Sequence, residues 1–215
     1  MGTNYMVLLG DIIGSKKLSD KAEVLDKLQK LLNNINSEFA GTIVSRFVIT
    51  RGDELQGMLK PGAVVYRILN IIAEEMYPVK IRFGIGYGGL STVQSIRKKD
   101  LNIDGPAFDK ACGAIEIAHD IRGYAVIFKS ELLAREREEE INFMLRLLAV
   151  IRNLWSDRFF QIVRHLRAGE KQVDIARQLG ITQPYISDII KQSCWQEVRV
   201  LEEKAVAILE KDFGK

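Results

Sequence analysis

The chain has 215 residues, of which 47% are hydrophobic and 27% charged, with a formal net charge of +3. That balance excludes wholesale disorder and supports a buried core without disulfide or metal staples. Its apolar runs, such as residues 147–151, are far too short to span a bilayer. The first ten residues lack a basic n-region and a small-residue cleavage site, which argues against secretion and for the cytoplasm. Two well-separated cysteines, Cys112 and Cys194, and two histidines, His119 and His165, give no redox pair and no histidine-rich metal site.

In chain order, residues 4–9 form a short apolar run ending at Gly10-Asp11, the pattern of a buried strand. Residues 21–39 place Val24, Leu25, Leu28, Leu31, Leu32, Ile35 and Phe39 on one helical face. Residues 43–50 and 54–59 read as strands joined by Arg51-Gly52-Asp53, a hairpin signal. Pro61-Gly62 opens a helix to about residue 76, and 79–89 is a glycine-rich strand. Residues 105–120 read as a helix with Pro106 in its first turn, and 124–128 as a closing strand. The order βαββαβ, then a loop, then αβ, predicts an α+β domain of ferredoxin-like type over 1–130.

From 131 to 215 no strand signal remains, and an all-α domain is predicted. A long helix covers 133–153, with Ile141, Met144, Leu145, Leu148 and Ile151 inward. A second covers 156–167, and a last one 196–212, with Val198, Leu201, Ala205 and Ile208 spaced to pack on its own domain, a dimer contact being the alternative. Residues 146–191 hold 8 basic and 4 acidic residues, a net of +4 between acidic flanks, a mild pointer to an anionic partner.

Within this region, residues 172–179, the turn Gly180-Ile181-Thr182 and residues 183–191 carry a helix-turn-helix pattern at 172–191. Ala176 is small at the predicted crossing, Gly180 permits the turn, and Ile175, Leu179, Ile186 and Ile189 make the inner face. Thr182 is placed to cap the second helix and Pro184 fits its first turn. The outward positions are Gln183, Tyr185, Ser187, Asp188 and Lys191. In such a motif the early residues of the second helix meet base edges, so Gln183 suits adenine, while Thr182, Tyr185, Ser187 and Lys191 suit further DNA contacts. A three-helix bundle with no DNA partner is the plain alternative.

Two acidic turns carry the chemistry of the first region. Gly10-Asp11-Ile12-Ile13-Gly14-Ser15 follows the first strand, and Gly52-Asp53-Glu54 lies at the hairpin tip. Carboxylates at strand ends suit Mg²⁺ or Mn²⁺, hard cations that take oxygen ligands and keep several waters. Gly14-Ser15-Lys16 enters a loop before a helix, where free backbone N–H groups can cradle phosphate. Only a sheet that sets strand one beside the hairpin would bring Asp11 and Asp53 together. Taken singly, Asp11 reads better as a solvated strand-end carboxylate and Asp53 as a turn former; it is together that they point to metal or nucleotide binding.

The string Gly84-x-Gly86-x-x-Gly89 matches a dinucleotide fingerprint in letters only, because its glycines lie inside one strand with no helix after them. Close backbone packing accounts for them better. Arg97-Lys98-Lys99 reads as an exposed loop. His119 and His165 read as structural, and Trp155 and Trp195 as core or domain-interface residues.

The Asp-Ile-Ile-Gly-Ser turn, the Arg-Gly-Asp-Glu hairpin, Ile81-Arg82-Phe83-Gly84-Ile85-Gly86-Tyr87-Gly88-Gly89 and Asp104-Gly105-Pro106-Ala107-Phe108 resemble, in order, the motifs of class III nucleotidyl cyclases and the related diguanylate cyclase palm domains. With the helix-turn-helix behind them, nearly the whole chain resembles the SatD family. The cyclase resemblance implies metal ligation by Asp11 and Asp53, helped by the Ile12 carbonyl, and a triphosphate held by Gly14, Ser15 and Lys16. It also implies a homodimer. The sequence departs from the cyclase pattern at Asp109 and Gly113, where an Asn and an Arg are expected, and at Ile49, where many cyclases have a base-selecting Lys. Arg51 and Lys110 are the nearby cations that would substitute, Arg51 within the nucleotide site.

Two functions follow. The favoured one is a DNA-binding transcriptional regulator whose cyclase-like domain binds a nucleotide or phosphate ligand with Mg²⁺. The alternative is a metal-dependent nucleotidyl cyclase or nucleotidyltransferase working through the two aspartates.

Overall fold

The computed structural model describes residues 3–50, 52–62, 64–91 and 104–213. Five strands form one sheet: β1 (Tyr5–Ile12), β2 (Ile43–Ile49), β3 (Glu54–Leu59), β4 (Ile81–Gly88) and β5 (Val126–Ser130). Their order is β2-β3-β1-β4-β5. The first four pair antiparallel, and β5 joins β4 in parallel. Helices α1 (Lys21–Glu38) and α2 (Val64–Glu75) supply the two crossovers of the βαββαβ unit, and α3 (Pro106–His119) the crossover to β5. The strand and helix order expected for the first region is therefore observed.

Strand alternation divides the sheet. Met6, Leu8, Ile12, Phe83, Ile85, Tyr87, Val126 and Phe128 point to the face covered by α1 and α2. Val7 and Met58 point to the opposite face, with Ala107 and Ala111 of α3, and Ala125 and Ile127 follow them against Ala114 and Ala118. This second contact is unusually close. A Cβ on Gly84 would stand 2.5 Å from the Ile115 nitrogen, and one on Gly86 2.0 Å from the Ala107 carbonyl oxygen. The glycines of β4 thus let the helix backbone settle on the strand, which is the close packing read from the sequence.

Among the described residues five helices follow: α4 (Arg135–Asn153), α5 (Asp157–Arg167), α6 (Gln172–Leu179), α7 (Gln183–Gln192) and α8 (Trp195–Phe213). The hydrophobic core runs without a break from the sheet into these helices. Helix α8 returns to the sheet, where the Phe213 ring lies 4.4 Å from that of Tyr87 and 5.4 Å from that of Phe128. Its Val198 and Ala205 are buried, and Leu201 and Ile208 pack on the same core. Glu138, in the first turn of α4, accepts the Ser130 N–H at 2.7 Å and so anchors the helix to the end of β5. Both tryptophans are buried, with rings 6.3 Å apart.

At the junction of the two regions lies a cluster of four charges from four helices: the buried Glu74 (α2), Arg152 (α4) and Glu202 (α8), and Arg167 (α5) at its edge. Arg167 donates to both carboxylates at 2.7–2.9 Å, and Arg152 donates to Glu74 at 2.9 Å and Glu202 at 3.2 Å. Burial alone would push the Glu202 carboxyl up, but hydrogen bonds from Arg167 and the charge of Arg152 hold it below the ordinary glutamate value.

Candidate functional site

Asp11 is the penultimate residue of β1, and so lies within the strand rather than in the turn after it. Its register partner is Glu54 on β3 and Arg82 on β4. Asp53 precedes β3 at the tip of the β2–β3 hairpin, where Gly52 takes a left-handed φ of 82°. Because β1 is flanked by β3, the hairpin tip comes to the end of β1, and the Asp53 charge acts directly on Asp11. The sheet arrangement that the sequence posed as the condition, strand one beside the hairpin, is observed.

An arginine and a histidine also reach Asp11. Arg82 Nη1 stands 3.7 Å and His119 Nε2 3.4 Å from Asp11 Oδ2. Arg82 has a buried Nε with no partner among the described residues. The Asp11 carboxyl is held above the ordinary aspartate value: burial raises it first and Asp53 raises it further, against the lowering by His119 and Arg82. The ion pairs are long and the Asp11 side chain is 20% exposed, so the arrangement leaves a carboxylate that a further cation would relieve.

The turn beyond β1 opens on a left-handed glycine. Gly14 has a left-handed φ of 70° and ψ of 26°, and a single 3₁₀ turn, Ser15–Lys17, follows. The Lys17 N–H donates to the Gly14 carbonyl at 2.8 Å. Ser15 is buried, whereas Gly14 and Lys16 are exposed beside the acidic end of the sheet. The Ile12 side chain is buried in the core. Arg51, and with it Arg97-Lys98-Lys99, lies outside the described residues.

His119, read from the sequence as structural, stands at Asp11, and Arg82 is a neighbour that sequence reasoning passed over. Both meet Asp11 through tertiary register: Arg82 through strand pairing 71 positions away, His119 through the seating of α3 on β4. The only sequence signal for Arg82 is its place in the alternating run of β4, which sets it on the face opposite Phe83. His165, by contrast, pairs with Glu170 at 2.9 Å within the helical region, as a structural histidine does. Among the described residues no group of three His, Cys, Asp or Glu side chains is positioned to hold a metal by itself. Two carboxylates with phosphate oxygens are nonetheless a sufficient donor set for Mg²⁺.

In the second region, Gly180 ends α6 in the left-handed conformation, and Thr182 stands at the N-cap of α7 with extended backbone. Its hydroxyl makes no capping hydrogen bond, unlike the expected cap; its carbonyl accepts the Ile186 N–H at 3.2 Å. Ile175, Ala176, Ile186 and Ile189 are buried as expected, together with Ile190. Thr182, Gln183, Tyr185 and Lys191 are exposed and Ser187 is half-buried. Gln183 donates to Gln172 Oε1 at 2.8 Å, tying the start of α7 to that of α6.

Comparison with known proteins places this chain in a family. The chain belongs to the SatD family, whose model matches residues 5–201. It matches no curated protein. Among solved structures it is similar to the guanylyl cyclase Cya2, at 15% identity over 60% of this chain and 77% of that one, with a TM-score of 0.38. It is also similar to the catalytic core of a rhodopsin-guanylyl cyclase with converted specificity in complex with ATPαS, at 18% identity over 59% and 78%, with a TM-score of 0.38.

Proposed function

We propose that this member of the SatD family binds a nucleotide or related phosphate ligand with Mg²⁺ or Mn²⁺ at the acidic end of its sheet, and that it is a DNA-binding regulator governed by that ligand. The observation that carries the first half is the meeting of Asp11 and Asp53 beside the left-handed Gly14 turn. Asp11 and Asp53, with the Ile12 carbonyl, would hold the metal, which neutralises phosphate charge when bound. Gly14, Ser15 and Lys16 would receive the phosphates through backbone N–H groups and an ammonium, with Arg51 as a further cation. Arg82, already beside Asp11, offers a guanidinium whose fork matches phosphate oxygens.

The second half rests on the exposed side of α7. Thr182, Gln183, Tyr185, Ser187 and Lys191 lie at the start and along one side of a helix whose other side is buried in isoleucine. That is the division of labour a DNA-reading helix requires. A homodimer would give it two half-sites and correct the modest local charge.

An enzyme is the second reading, favoured by the same pair of acids. Two carboxylates are enough for metal-assisted nucleotidyl transfer. Against a fast reaction stand Asp109 and Gly113, since neither supplies a cation where charge would develop.

Thermal denaturation with each nucleoside triphosphate and Mg²⁺ or Mn²⁺ tests the site. Stabilisation that is lost in Asp11→Ala/Asp53→Ala supports it, and no stabilisation by any nucleotide refutes it. Chromatography of the same tubes separates sensor from enzyme: a product dependent on Asp53 identifies the enzyme. Selection from genomic fragments at low salt tests DNA binding, which fails if no sequence is enriched.

A further inference from the structure

A cleft of about 770 Å³ opens between α2, the C-terminal end of α5 and α8, directly over the four-charge cluster. Its volume is that of a small-molecule site. Its floor is closed: Tyr66, Asn70, Trp195 and Glu202 are buried, and Glu202 is already saturated by Arg152, Arg167, Asn70 and Tyr66. The walls that a ligand would touch are Ile71, Leu166, Ala168 and Val206, with the stems of the rim arginines.

The accessible charges around these apolar walls are unequal. Arg67 and Arg199 line the cleft against Glu203 alone, once Arg167 and Glu202, which neutralise each other, are set aside. Arg199 meets Glu203 at 3.5 Å, and Arg67 meets Glu38 at 3.0 Å, in pairs whose side chains are more than half exposed. Pairs of that kind are worth little, so either guanidinium can turn to a ligand at small cost. A guanidinium engages carboxylate or phosphate through two parallel hydrogen bonds.

We infer that this cleft binds a small organic anion with a flat apolar body, at a site separate from the acidic end of the sheet. The body lies on Ile71, Leu166 and Val206, and the anionic head faces Arg199 and Arg67. Such a ligand would bridge the sheet's own helix α2 and the helices that carry α7.

The test uses 8-anilinonaphthalene-1-sulfonate, an aromatic anion, with the full chain. Its fluorescence should rise to saturation at one molecule per chain, with energy transfer from Trp195 at the cleft floor. Arg199→Glu should weaken binding about tenfold or more, the loss of one desolvated charge contact, and Ala168→Trp should close the mouth and abolish it. Circular dichroism melts of both variants confirm that they are folded. Asp11→Ala/Asp53→Ala should bind the dye as the wild type does, which keeps this result independent of the nucleotide reading. Benzoate and phenyl phosphate should displace the dye where benzyl alcohol does not. No saturable binding, or undiminished binding by both folded cleft variants, overturns the site. Equal displacement by benzyl alcohol overturns the assignment of an anion.

Discussion

The protein contains two clusters of nearly the same composition in opposite settings. At the end of the sheet, Asp11, with Asp53 at the neighbouring hairpin tip, meets Arg82 and His119 at nitrogen–carboxylate distances of 3.4–3.7 Å. At the junction of the two regions, Glu74 and Glu202 meet Arg152 and Arg167, at 2.7–3.2 Å. The first is half-open and holds its aspartate above the ordinary value; the second is closed and holds Glu202 below it. Two acids and two bases are therefore either left partly exposed or tied off internally. Burial and hydrogen-bond geometry decide which, because carboxylates that are fully paired have nothing left to offer a ligand.

The sharpest way to break the comparison is to remove one cation from the closed cluster. Arg152→Ala leaves two buried carboxylates short of a partner, and should cost about 3–5 kcal/mol in urea unfolding. The open site should answer to ligand instead. A nucleoside triphosphate with Mg²⁺ at about 100 times its Kd should add about 2.7 kcal/mol to the wild type and nothing to Asp53→Ala. Glu202→Gln, which keeps the shape but not the charge, should lose about 1–3 kcal/mol. Asp11→Asn should lose none, and should gain slightly by removing repulsion from Asp53.

The smallest effect is the most diagnostic. A carboxyl raised in the folded state makes stability fall as pH climbs from its unfolded value to its folded one. A lowered carboxyl makes stability rise across its own window, and the contribution is lost on acidification through the folded value. Urea melts from about pH 3 to pH 7, where carboxylates titrate, should therefore show opposite changes. Asp11→Asn should make the rise of stability with pH steeper, and Glu202→Gln should make it shallower. Parallel curves would mean that the two clusters do not differ as described.

Much of the fold was legible because its signals are local. Leu28, Leu32 and Ile35 recur at helical spacing and are buried in α1, and Gly84 and Gly86 sit inside an apolar strand and meet a helix backbone. The acidic site was half-legible: Asp11 and Asp53 carry turn signals, but Arg82 and His119 come to them through register and helix seating, which no neighbouring residue reports. The closed cluster was missed altogether. Arg152 and Arg167 looked like ordinary helix charges among many. The available signal was periodic: Arg152 follows Leu145 and Leu148 at spacings of 3 and 4, an inward position. An arginine there requires a buried partner, and only the fold reveals that two glutamates supply it.

The seating of α3 on the glycines of β4 has a metrical consequence. With its backbone in contact with the strand, the helix can neither slide nor roll without a clash at Gly84 or Gly86. Its 14 residues make a rod of about 21 Å, and His119 is the mark at its far end. A residue inserted in α3 would turn that mark by about 100° about the axis, away from Asp11, while leaving the helix intact. The helix is a ruler clamped to the sheet, whereas the glycines of the Gly14 and Gly52 turns, at the same end of the sheet, have no such contact.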